Sequence, residues 1–176
     1  MKIYILNQIY QRDTTQLVVV KYTKGASIAP TIEYLIEENK YNCISFTYTA
    51  KKEISLKLQL KQFTDAIHDV FGIEPTREIK HWSYAFIYFK RALTQKIQKT
   101  KNDNKVLIFF NEVSLLDTDG SDFLTVFGYF YNTFCQKHKN FLIILGSSNT
   151  SWIDNRLRKD TGSLYQRLDE IISMEQ

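Results

Sequence analysis

KVLIFFNEVSLLD, residues 105–117, holds five consecutive apolar side chains, Val106 to Phe110, that run directly into Asn111 and Glu112. A short unbroken apolar run bounded by polar residues reads as a strand buried on both faces, as in a parallel sheet. The carboxyl ends of such strands face the ligand crevice of open α/β sheets, so Asn111 and Glu112 form a candidate site. An acid at that point commonly holds Mg²⁺ or orients water in phosphoryl-transfer proteins. Here the first of the two positions is an amide.

The sequence on either side alternates strands with helices. Upstream, Trp82, Phe86, Phe89 and Leu93 define an amphipathic helix running to about Lys99. Its polar side, Lys90, Arg91, Lys96, Lys99 and Lys101, is basic. A solvated face is the ordinary reading of such a side, with a phosphate-contacting surface as the alternative. Leu56, Leu60, Phe63, Ile67, Val70 and Phe71 make an earlier helix face, ended by Gly72 and followed by a break at Glu74 and Pro75. Residues 43–48 and 17–20 read as strands, 30–39 as a helix with Pro30 in its first turn, and 12–15 as a turn. Residues 1–8 fit a strand or a helix equally well. Downstream, a turn at 118–121 precedes an aromatic helix face, Phe123, Phe127, Phe130, Tyr131 and Phe134, ending near His138. Residues 141–145 are a fourth strand closing on Gly146, 151–159 a short helix, 162–167 a turn or short helical segment, and 171–173 a fifth strand. This alternation predicts a three-layer α/β fold, a mainly parallel sheet of about five strands with helices on both faces.

Length and composition set the outer bounds. The 176 residues fit one domain, 1–176, with a sizeable core. A net charge of +4 falls well short of the basic stripe of a dedicated nucleic-acid binder. Cys43 and Cys135 are far apart in apolar contexts, which suits buried thiols in a reducing compartment. No signal peptide opens the sequence and no apolar run approaches the length of a membrane span, so a cytoplasmic protein is expected.

The strand, loop and helix at 17–39 have the layout of a phosphate-binding loop, which normally requires G-x-x-x-x-G-K-[ST]. In that motif glycines admit backbone amides to the phosphates, Lys neutralises them and the hydroxyl holds Mg²⁺. The best register lies on residues 22–29, YTKGASIA. Tyr22 and Ser27 then occupy the glycine positions, Ile28 the Lys position and Ala29 the hydroxyl position. Lys21, Lys24 and Gly25 are close enough to lean toward an anion, although a displaced Lys is ordinarily just exposed. His68, His81 and His138 lack metal-ligand spacing, so no metal site is expected. Ser147 and Ser148 sit in no G-x-S-x-G elbow. Asp117 and Asp119 read as turn and helix-capping residues.

Residues 105–168 resemble the archaeal-type ATPase family, a branch of the P-loop NTPases related to the AAA+ and STAND groups. The similar features are the strand ending in Asn111-Glu112, the LDT–G–S–FL stretch, Gly146-Ser147-Ser148 leading to Ser151-Trp152, and the closing Leu164-Tyr165-Gln166-Arg167. Trp82-Ser83 with Ala85-Phe86 is similar to the family's W-x-x-A-F helix. The resemblance implies that Asn111 stands at the Mg²⁺-linked Asp position and Glu112 at that of the water-activating base. It places Ser147 or Ser148 at the sensor position beside the γ-phosphate, and Arg167 at the arginine after the sensor helix. Glu112 could equally be a relic or pair with Arg167. The family's winged-helix region is expected to be absent from these residues. With the Lys, the hydroxyl and the carboxylate replaced together at Ile28, Ala29 and Asn111, no cofactor is expected, and any binding of ATP with Mg²⁺ should be weak. The leading expectation is a pseudo-ATPase that works through a protein partner or a second copy of itself. Two alternatives stand beside it. One is an ATP-binding enzyme with a non-standard loop, in which Lys21 or Lys24 replaces the missing Lys. The other is a nucleic-acid-binding module using the basic helix at 90–101.

Overall fold

Strand order decides where every candidate residue falls. In the computed structural model, which describes residues 2–100, 104–159 and 162–174, five parallel strands lie in the order β2-β3-β4-β1-β5. They are β1 (Gln16–Tyr22), β2 (Cys43–Thr49), β3 (Lys105–Asn111), β4 (Phe141–Ser147) and β5 (Glu170–Met174). β3 and β4, the two most continuously apolar segments, take the middle of the sheet, where both faces are covered. Register is continuous across it: Val106 pairs with Ile44 on one side and Phe141 on the other, and Val20 with Gly146 and Ile172.

Helices cover both faces. α1 (Lys2–Tyr10) and α2 (Ala29–Glu38) bury Leu6, Ile9, Ile32 and Leu35 against Val18, Val20, Leu107, Phe109, Leu142 and Ile144. On the other face α3 (Leu56–Phe71), α4 (Trp82–Lys99) and α5 (Phe123–Thr133) build the larger core. Its centre is aromatic: Phe63 lies within 6.0 Å of Phe46, Tyr48, Trp82, Phe86, Phe89 and Phe110, mostly edge to face. Such pairs add about 0.5–1.5 kcal/mol each beyond the area they bury. Ser55 caps α3 by accepting from Leu58 N, and Gly72 ends it at φ +66° in the left-handed region.

Several expectations shift. Residues 2–10 are helical: Leu6, Ile9 and Tyr10 are buried, whereas Tyr4 is exposed. Val70 carries the right spacing but is 49% exposed, while Phe71 beside it turns inward and stacks on Phe46. The aromatic helix stops at Thr133, and the chain continues through a tight turn over Cys135–Lys137 before His138. Of the basic residues expected on this helix's polar side, Lys101 lies outside the described residues. Asp117 caps nothing. It accepts from Trp152 Nε1 at 2.9 Å and from Arg156 Nε at 3.1 Å, tying the helical turn after β4 to the loop after β3. That segment is helical over Thr150–Trp152 and then widens into a π-type turn over Ile153–Leu157. Among the described residues, no helix is long and apolar enough to cross a membrane.

Candidate functional site

A parallel sheet brings the carboxyl ends of all its strands to one edge, so Tyr22, Thr49, Asn111 and Ser147 share that edge. Asn111 is the last residue of β3 and is 8% exposed. Its Oδ1 accepts a 2.6 Å hydrogen bond from the Tyr22 hydroxyl, and its Nδ2 reaches Thr49 Oγ1 at 3.4 Å. β4 runs between the strands that carry Tyr22 and Asn111. The two side chains meet over Gly146, which has no Cβ to stand between them. Burial, and then the negative charge of Glu112, push the Tyr22 phenol far above its ordinary value of 10, so it stays a neutral donor.

Glu112 follows at φ +52°, a left-handed conformation that costs a non-glycine residue about 1 kcal/mol or more. The twist turns the chain from β3 into the short helical turn Val113–Leu115. It also carries the carboxylate across to the end of β4. There Glu112 Oε2 accepts from Ser148 Oγ at 3.0 Å and Ser148 N at 3.2 Å. Ser147 is fully buried. Its hydroxyl donates to Ser114 Oγ at 2.9 Å and accepts from Asn149 N at 3.1 Å. Tyr22 with Asn111, Glu112 with Ser148, and Ser147 with Ser114 are thus gathered as three hydrogen-bonded sets at one edge of the sheet. The Ser114 and Thr49 contacts were not legible from sequence, since neither residue belongs to a motif.

The loop between β1 and α2, residues 23–28, divides in two. Lys24, Gly25 and Ser27 are exposed, with Gly25 at φ +92°. Ser27 Oγ accepts from Ala29 N at 3.2 Å, and Ala29 begins α2 with its side chain partly covered. Ile28 is fully buried, packed in the core between α2 and the sheet. Lys21 points sideways to Asp154, with Nζ 2.9 Å from Oδ1, and this contact holds the Asp154 carboxyl below its usual range. A cavity of about 130 Å³, lined by Tyr22, Thr23, Thr150 and Met174 among others, lies beside the loop. Arg167 is not part of this group. It precedes β5, whose first residue pairs with Val18, and its charge acts on Tyr131, so it belongs to the opposite end of the sheet. Glu112 therefore pairs with Ser148 and not with Arg167. Among the described residues, no group of three or more His, Cys, Asp or Glu is placed to hold a metal ion.

No family model matches the sequence, and no curated protein matches it. Solved structures do. The chain superposes on the ORC2 protein of Aeropyrum pernix, determined as ADPNP and ADP complexes, with a TM-score of 0.68 at 12% identity over 98% of its length. It also superposes on a Walker-type ATPase of Pyrococcus abyssi, with a TM-score of 0.60 at 15% identity over 96% of its length. The fold is that of the P-loop NTPases. Drosophila ORC bound to DNA gives a TM-score of 0.53 at 11% identity. The chain spans about half of the first two proteins, 47% and 50% of their lengths. At such identities the likeness is one of fold.

Proposed function

We propose that this P-loop NTPase domain is a pseudo-ATPase of the archaeal-type branch, which has given up nucleotide chemistry and acts by binding protein. The observation that carries the reading is the buried Tyr22–Asn111 hydrogen bond. Tyr22 stands at the first glycine position of the phosphate loop, and its phenol occupies the one oxygen that Asn111 could offer a metal. The residues present do not fit ATP with Mg²⁺. Ile28 turns an aliphatic side chain into the core where a phosphate-neutralising Lys belongs, Ala29 has no hydroxyl, and Lys21 is committed to Asp154. A charge-assisted hydrogen bond contributes about 1.5–3 kcal/mol. A micromolar site has only about 8 kcal/mol in total, so losing the Lys and two metal determinants removes much of it. Glu112 is left holding Ser148, a structural use of a residue at the base position.

Calorimetric titration with ATP and Mg²⁺ tests the proposal. No saturable heat and no phosphate release are expected. A low-micromolar dissociation constant, or turnover that is lost in Glu112→Gln, would overturn it.

A further inference from the structure

Two surfaces on opposite faces of the sheet complement each other. Between α4 and α5 lies a groove of about 520 Å³ whose floor is apolar and whose flanks carry Ile87, Tyr129, Lys90 and Lys137. Ile87 is 64% and Tyr129 68% exposed, so two large apolar side chains lining one groove stand in water, the mark of a contact surface. The charged residues that line it, Lys90 and Lys137, are both cationic. α4 and α5 contain no acidic residue, and among the described residues neither Lys90 nor Lys137 has an ion-pair partner. Lys90 is exposed, and its Nζ lies over the Phe134 ring at 5.6 Å.

On the far side of the sheet α2 presents the reverse pattern. Its sequence, APTIEYLIEE, has three glutamates and no basic residue. Ile32 and Leu35 face the core, which leaves Glu33, Tyr34, Glu37 and Glu38 together on the outer side, with Tyr34 half exposed. Among the described residues, only Glu37 of the three glutamates has an ion-pair partner, the neighbouring Lys40, in an exposed pair of the kind that contributes little.

We infer that the α4–α5 groove of one copy receives the α2 face of a second copy, Tyr34 packing between Ile87 and Tyr129 while the glutamates meet Lys90 and Lys137. Because α2 and the groove cover opposite faces, the contact is head to tail. Each bound copy still offers a free groove or a free α2, so assembly does not stop at two. The inference rests on the protein-binding part of the proposed function and not on the loss of nucleotide, so titration with ATP and the experiment below fail independently.

Sedimentation velocity of the whole chain at low salt, over about 10–500 μM, should show mass rising past the dimer, since a single helix seated in a groove makes a small interface. Raising salt from about 50 mM to about 500 mM should weaken it several-fold. Lys90→Glu/Lys137→Glu blocks the groove and Glu33→Lys/Glu37→Lys blocks α2, so each variant alone should be monomeric. Mixed in equal amounts, they offer both complementary contacts, the native α2 face with the native groove and the reversed α2 face with the reversed groove, and should regain growth as an alternating assembly. All four changes in one chain should restore growth. A wild-type chain that stays monomeric, as when a different protein covers the groove, overturns the inference. So does a mixture that fails to regain growth, or a wild-type assembly that both variants leave intact.

Discussion

The Tyr22 hydroxyl and Asn111 Oδ1 lie 2.6 Å apart although their strands are not neighbours. A Cβ added at Gly146, on the strand between them, would stand 3.3 Å from both Asn111 Oδ1 and Tyr22 Cε1 and 3.1 Å from the Phe109 ring. Tyr22→Phe leaves the Asn111 carbonyl buried without its donor and should cost about 1–2 kcal/mol in urea unfolding. Tyr22→Phe/Asn111→Leu removes both polar groups together and should cost less than the sum of the single changes. Strict additivity would mean that the pair is not coupled.

Gly128 on α5 should be among the least tolerant positions. A Cβ there would come within 2.2 Å of Ser163 Cβ and 3.1 Å of the Ser163 carbonyl carbon. The same contact is sealed by Asn132 Nδ2 donating to Ser163 O at 2.6 Å. Gly128→Ala should destabilise by about 1–3 kcal/mol through overpacking, against the usual gain of such a change in a helix. An unchanged urea midpoint would show that the loop carrying Ser163 stands off.

Asp117 anchors the turn that follows β4 through Trp152 and Arg156. Asp117→Ala should cost about 1–3 kcal/mol and leave the indole N–H unpaired. Amide exchange should accelerate over residues 150–157, with little change in β3 or β4. Equal acceleration in all three would mean global loss of stability and no local tether.

His138 gives the fold a pH response. Its ring stacks on Phe141 at 4.9 Å and meets Phe134 edge-on at 5.1 Å, and burial lowers its affinity for a proton below that of the unfolded chain. A histidine that binds protons less tightly when folded leaves stability unchanged above its unfolded pKa. As pH falls through about 6.5 the unfolded chain takes up the proton first, and stability drops until the folded pKa is passed. His138→Phe keeps an aromatic ring between Phe134 and Phe141, so the fall in urea midpoint between about pH 7.5 and about pH 5 should be smaller in the variant than in wild type. An equal fall in both would place the response elsewhere.

The strands were legible because burial on both faces leaves an unmistakable imprint: five apolar residues in β3, and FLIIL in β4. Helix faces were legible from spacing, but a spacing of three or four also takes in residues on the flank of a face, which is why Val70 misleads beside the inward Phe71. KIYILNQIY at α1 was ambiguous because only one side of a short helix is covered. The site was half legible. Asn111, Glu112, Ser147 and Ser148 follow from strand ends alone. The meeting of Tyr22 with Asn111 depends on strand order and on a glycine in the strand between, and neither can be read along the chain. Arg167 was misplaced for the same reason: a residue just before a parallel strand lies at the opposite edge from residues that end one.

The order β2-β3-β4-β1-β5 also carries a history of assembly. β2 and β3 can pair as soon as α3 and α4 have been made, but β1 forms a ladder with neither of them. Its ladder partners among the described residues begin at Phe141 and Glu170, so β1, the earliest made of the five, waits for β4 before it has an edge to join. Until then LVVV is an unpaired apolar segment of high strand propensity, the kind that recruits other chains. Synthesis of this protein should therefore be most vulnerable to aggregation in the interval before β4 emerges, and chaperone demand should fall sharply once it does.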